Sequence, residues 1–204
     1  VGTGDFDGDG IEDVVFTNPL NLGGASFHLA FGGGGAFDAV GGPGDLDGTN
    51  GFTVESDHGF LGSFPFAADF AGDVNGDGFD DLIVIDNAAR YGEVEGYYSN
   101  TQAAYLIYGG DDPLPDGLGA ELNLADLGPG DGAIVTGLPY NHLGQTVSAA
   151  GDLDGDGLGD ILVGAPRNDD GPPTGYVTAA ILKKHDPDAI QAIRAERTQS
   201  RSDD

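Results

Sequence analysis

Acidic side chains recur at alternate positions in three stretches: "GDFDGDGIED" at 4–13, "GDVNGDGFDD" at 72–81 and "GDLDGDGLGD" at 151–160. Like charges this close repel one another, and a cation held between them removes the repulsion. Counted from the first Asp of each loop, oxygen-bearing side chains fall at positions 1, 3, 5 and 9. They are Asp5, Asp7, Asp9 and Asp13; then Asp73, Asn75, Asp77 and Asp81; then Asp152, Asp154, Asp156 and Asp160. Position 7 is Ile11, Phe79 or Leu158, which offers only a backbone carbonyl. Position 6 is always glycine, as a sharp turn around an ion requires. A hard cation taking roughly six to eight flexible oxygen ligands fits this donor set, so Ca²⁺ is expected ahead of Mg²⁺. Zn²⁺ is disfavoured because no His or Cys stands nearby. Three loops imply about three ions.

An EF-hand begins in the same way, but it needs a bidentate Glu at position 12 and a helix on each side. Position 12 here is Phe16, Val84 or Val163. The loops run instead into "EDVVFT", "DLIVID" and "DILVGAP", which read as buried strands. These are therefore strand-loop-strand sites. "GDLDGTNGF" at 44–52 imitates them with Asp45 and Asp47 but carries Thr49 and Thr53 at positions 5 and 9, and reads as a linker.

The loops mark a repeat of a length typical of propellers and solenoids. One unit reads as "FTVES", "PFAADF", the acidic loop, "DLIVID" and "AAYLIYGG"; the next as "AIVTG", "QTVSAA", the loop, "ILVGAP" and "GYVTAAIL". Four short antiparallel strands per unit make a propeller blade. The expected fold is all-β, a partial or open β-propeller followed by a short C-terminal helix. Residues 1–42 supply the last two strands of one blade, 43–110 and 111–182 a full blade each, and 183–204 a helical or disordered tail. In that tail Asp186 can cap a helix whose first position is Pro187, with Ile190 and Ile193 as a short apolar stripe.

"LGQTVSAAGDLDGDGLGDILVGAP" resembles the FG-GAP repeat of integrin alpha-chain β-propellers and of many bacterial surface proteins. The third unit carries Leu143-Gly144, the loop and Gly164-Ala165-Pro166. The second keeps Leu61-Gly62 and its loop but has Asp86-Asn87-Ala88 in place of Gly-Ala-Pro. The first ends in Thr17-Asn18-Pro19 and lacks the lead-in. The resemblance implies Ca²⁺ on the Asp and Asn side chains of the three loops. It also implies a ring of usually seven blades, of which this chain supplies two and a half. The chain is thus expected to be a mature product or fragment whose open edges meet remaining blades or a second copy.

Composition narrows the function. Net charge is −28 over 204 residues. Five of the seven basic residues lie beyond residue 182, leaving only Arg90 and Arg167 in the acidic body. Such a body repels nucleic acid and anionic membranes. No apolar run is long enough for membrane insertion. With no cysteine there is no disulfide, thiolate site or thiol catalysis. The four histidines form no recognisable spacing, and His28 reads as strand filling. No nucleophile elbow, P-loop or dinucleotide fingerprint is present, so no enzymatic activity is expected of the chain itself.

If the loops occupy one face, connections of the other parity lie opposite. That face gathers Asp57, His58, Phe60, Tyr91, Tyr97 and Tyr98, and then Tyr140, His142, Arg167 and Asp169, as candidate contacts for a protein or glycan ligand. The expected function is a calcium-binding adhesion or ligand-binding module of an extracellular or cell-surface protein. The alternative is a non-catalytic accessory propeller of a secreted hydrolase or lyase.

Overall fold

The computed structural model describes residues 1–17, 26–33, 45–55, 67–86, 93–94, 97–98, 103–111, 120–128, 130–136, 146–165 and 178–182. Among these the chain is all-β, with a 3-10 turn at Leu124–Asp126 and no closed barrel. The helix expected after residue 183 lies outside the described residues.

Three sheets follow one another in sequence. The first is built from β1 (Gly2–Gly4), β2 (Asp13–Thr17), β3 (Ser26–Ala30) and β4 (Gly51–Glu55), antiparallel in that order. The second contains β5 (Ala68–Gly72), β6 (Asp81–Asp86), β9 (Ala103–Ile107) and β11 (Gly132–Thr136), again antiparallel. Between β6 and β9 lies a two-residue-per-strand hairpin, β7 (Glu93–Val94) with β8 (Tyr97–Tyr98). The third sheet comprises β12 (Thr146–Gly151), β13 (Asp160–Ala165) and β14 (Thr178–Leu182). One strand breaks the antiparallel rule: β10 (Glu121–Asn123) adds to the free edge of β4 in parallel.

The grouping of strands differs from the sequence expectation. The "FTVES" strand was expected to open the second unit, but β4 pairs with β3 and closes the first sheet; β11 closes the second sheet in the same way. The first sheet therefore has four antiparallel strands rather than two. Each acidic loop joins the first and second strands of its sheet rather than the second and third. The physical reason is that alternation of apolar residues fixes which face of a strand is buried but not which neighbour pairs with it. Strand parity still sends Glu55, Ala68, Asp86 and Ala103 to the end of the sheets away from the loops.

The sheets stack face to face. Phe6, Val15, Leu29, Phe52 and Val54 of the first meet Phe70, Leu82, Val84 and Tyr105 of the second. Phe6 sits 5.8 Å from the Phe52 ring and 6.5 Å from Phe70, centre to centre. The opposite face of the second sheet packs Ala71, Ile83, Ala104, Leu106 and Val135 on Ile161 and Val163 of the third. Being covered on both faces, residues 81–85 of β6 and all of β9 are buried, which explains the unbroken apolar run "LIVI". The strands that lead into the loops carry much of the contact: β5 touches β1 and β2 on one side and β12 and β13 on the other. This brings the three acidic loops side by side.

Candidate metal centre

All fifteen loop residues singled out in the sequence are described, and four hydrogen bonds recur in every loop. The position-1 carboxylate accepts the amide of position 6: Gly10 to Asp5 at 3.0 Å, Gly78 to Asp73 at 2.9 Å, Gly157 to Asp152 at 2.9 Å. The position-3 side chain accepts the amide of position 5: Asp9 to Asp7, Asp77 to Asn75, Asp156 to Asp154. Position 5 accepts the amide of position 7, from Ile11, Phe79 or Leu158. Position 9 accepts the amide of position 2: Phe6 to Asp13 at 2.7 Å, Val74 to Asp81 at 2.9 Å, Leu153 to Asp160 at 2.7 Å. The turn that makes this possible needs positive φ at positions 4 and 6. Glycine supplies it at Gly8 and Gly10, Gly76 and Gly78, Gly155 and Gly157.

The position-9 carboxylates hold the scaffold together. Asp13, Asp81 and Asp160 are all buried. The second oxygen of Asp13 accepts the amide of Gly32 at 2.7 Å, and that of Asp81 the amide of Gly109 at 3.0 Å, both just beyond the third strand of their sheet. Each of these carboxylates thus ties its loop to the neighbouring turn. Burial pushes Asp13 up to about 6 and Asp81 up to about 7, against the pull of the amides that bond them. Burial also raises Asp7, helped by the charges of Asp9 and Asp5. The Tyr108 phenol is raised by burial and then by Asp81 and Asp77. Raised carboxyl pKa values show that negative charge is costly where these side chains stand.

The loops differ in how their acids gather. Oxygens of Asp5, Asp7 and Asp13 lie within 4.8 Å of one another, as do those of Asp152, Asp154 and Asp156. Asp9 turns to the amide of Ile11 and stands outside the first trio. In the second loop the Asn75 side-chain amide donates to Asp77, so a neutral donor bridges two positions of the set. The third trio is exposed. In the first loop Asp5 Oδ1 is buried and has no hydrogen-bond partner.

The decoy loop is a self-satisfied turn. Asp47 accepts the amide of Thr49 at 2.9 Å, its hydroxyl at 2.7 Å and the amide of Asn50 at 3.3 Å. The Thr49 bonds hold its carboxyl below the usual range. His28 is buried in β3, with Nε2 3.1 Å from Ser26 Oγ and Nδ1 3.0 Å from Thr53 Oγ1. Burial keeps its pKa below the ordinary value.

Residues 143–179 match the family model described as FG-GAP repeat. The chain carries an FG-GAP repeat. The matched stretch spans β12, the third acidic loop and β13, and reaches into β14. The two earlier loops share its hydrogen-bond pattern although the match does not extend to them. Of the residues assigned to the far face, only Tyr97 and Tyr98 fall in a described strand, β8; Asp57, His58, Phe60, Tyr91, Tyr140, His142, Arg167 and Asp169 lie outside the described residues.

The donor set fits the cation that the repeat implies. An orphaned, buried carboxylate oxygen is costly unless something positive meets it, and Oδ1 of Asp5, whose carboxylate is grouped with those of Asp7 and Asp13, is such an atom. All side-chain donors are hard oxygens, the preference of Ca²⁺. Sequence reasoning missed three participants: the positive-φ role of the glycine at position 4 of each turn, the latch amides of Gly32 and Gly109, and Asp80, whose carboxylate accepts the amide of Asp5 at 3.0 Å. The last two involve residues far apart in sequence, for which spacing gives no signal.

Proposed function

We propose that this FG-GAP repeat chain is a calcium-stabilised propeller-type module of an extracellular or cell-surface protein, serving adhesion or ligand binding rather than catalysis. The orphaned Oδ1 of Asp5, a residue whose carboxylate gathers with those of Asp7 and Asp13, is the observation that carries the reading. Asp5, Asp7, Asp9 and Asp13, with their counterparts in the other loops and the carbonyls of Ile11, Phe79 and Leu158, would hold the ions. Bound Ca²⁺ would supply charge neutralisation and cross-linking of each loop, not chemistry on a substrate. Extracellular calcium modules bind at roughly 10⁻⁴ to 10⁻³ M, so such sites fill outside a cell and stay largely empty in cytosol. A protein or glycan ligand would use the end of the sheets away from the loops. Further blades or a second copy would cover the outer face of the third sheet.

The test is a thermal melt of the 204-residue chain in excess chelator and in millimolar Ca²⁺, with stoichiometry by calorimetry. About three ions should bind. Calcium at ~100-fold excess over Kd should add about 2.7 kcal/mol per independent site. An unchanged melt with no bound ion would overturn the calcium reading.

A further inference from the structure

The three loops are not equivalent, and the difference lies in what the next unit contributes. At both junctions the position-1 carbonyl accepts the position-8 amide of the following loop: Asp80 N–H to Asp5 O at 3.0 Å, and Gly159 N–H to Asp73 O at 2.7 Å. Among the described residues only the first junction adds a side-chain bond to the position-1 main chain. Asp80 Oδ2 accepts the amide of Asp5 at 3.0 Å, so backbone and carboxylate of one residue grip both polar groups of the Asp5 main chain. Position 8 of the third loop cannot do the same. A Cβ on Gly159 would stand 2.4 Å from the Ala71 carbonyl oxygen.

The entry to the first loop also differs. Pairing of β5 with β6 and of β12 with β13 shifts register just before the loop, at Phe70/Gly72 and Ala149/Gly151, whereas β1 pairs with β2 without a shift. In the two bulged loops the first Asp spends its Oδ1 on the loop itself. Asp73 Oδ1 accepts the amides of Gly76 and Asp77, and Asp152 Oδ1 those of Gly155 and Asp156. In the first loop the corresponding Oδ1 of Asp5 is the buried, partnerless atom. An ion entering the second or third loop must share that oxygen with two amides. An ion entering the first does not.

We propose that the first loop is the tightest cation site of the chain, and that Asp80 of the neighbouring unit is its positioning residue. The proposal rests on the calcium reading above. Asp80 fixes the Asp5 backbone so that Oδ1 stays off the loop amides and is free for an ion shared with Asp7 and Asp13. The site thereby spans two repeats, and its affinity depends on the junction between them.

Calcium titrated calorimetrically into the chelator-stripped full chain should show one tight ion followed by weaker ones. Asp7→Asn should abolish the tight phase, and Asp154→Asn should leave it. Asp80→Ala should weaken the tight phase about tenfold, the equivalent of one lost hydrogen bond to a charged group, without moving the weaker phases. Asp80→Asn keeps an oxygen that can accept the Asp5 amide, so it should stay close to the parent chain. Three ions of one affinity, a tight phase that survives Asp7→Asn, a tight phase whose affinity Asp80→Ala leaves unchanged, or Asp80→Asn as weak as Asp80→Ala would each overturn the proposal while leaving the calcium reading intact. The Asp7→Asn and Asp154→Asn pair decides the order of filling even if Asp80→Ala disrupts the junction. Absence of any binding by the parent chain in millimolar Ca²⁺ would instead remove the calcium reading itself.

Discussion

Phe6 and Leu153 hold the same place, position 2 of the first and third loops, yet Phe6 is fully buried and Leu153 is 58% exposed. Val74, their counterpart in the second loop, is buried. The same contrast appears two residues into the following strand. Val15 and Ile83 are buried, and Leu162 is exposed. The first two units each have a further sheet packed on that side, and no such sheet follows the third among the described residues. Apolar side chains at these positions are thus directed at the next unit rather than at their own sheet. A repeat of this kind draws its stability from neighbours, and its terminal copy exposes the surface that a neighbour would cover.

The comparison can be broken by mutation. The largest effect is expected for Phe6→Ala, which empties a site lined by Phe52 and Phe70. It should cost about 3–5 kcal/mol, read as a fall in the urea midpoint. A cost under about 1 kcal/mol would mean that the first junction is looser than its packing indicates. Gly159→Ala probes the second junction, where the new methyl meets the Ala71 carbonyl. Overpacking of about 1–3 kcal/mol is expected, and a neutral result would show that the third sheet can slide away from the second.

A smaller, pH-dependent effect is expected at His28. Burial lowers its folded pKa below 6.5, so below that pH the unfolded chain binds more protons than the folded one. Stability from this group is full above 6.5 and declines as pH falls through that value toward the folded pKa. Asp13 and Asp81 titrate in the same window in both proteins, so the readout is the difference: between about pH 7.5 and 5.5 the urea midpoint of the parent should fall relative to that of His28→Gln. A parallel pair of curves would mean that the imidazole takes up its proton alike in the folded and unfolded chain. The smallest effect belongs to Leu153→Ala, within about 0.5 kcal/mol. A cost approaching that of Phe6→Ala would reveal that the outer face of the third sheet is covered in solution.

Much of the site was legible in the sequence because its geometry is local. A turn that places acids at alternate positions needs glycines between them, so residue type and spacing alone marked Asp5 to Asp13 and both later copies. The all-β class followed from short apolar runs bounded by glycine. Strand partnership was less legible. "FTVES" reads equally well beside the strand before it or the strand after it, and only the pairing of Phe27 with Val54 and Leu29 with Phe52 decides the matter. Asp80 was illegible for a different reason. Its role depends on Asp5, 75 residues earlier, and nothing in the local pattern separates it from Glu12, which holds position 8 in the first loop.

The parallel strand β10 gives the molecule an order of assembly. Leu122 and Leu124 are buried in the core between the first and second sheets, and β10 lies along β4, the outer strand of the first sheet. That core is therefore closed by residues that follow β9. A chain emerging from a ribosome can pair β1 to β4 early, but it cannot seal the first sheet until about residue 124 has left the exit tunnel. The first sheet thus completes its core only with residues that follow the second, and a nascent chain halted before β10 would present Phe52 and Val54 with one flank still open.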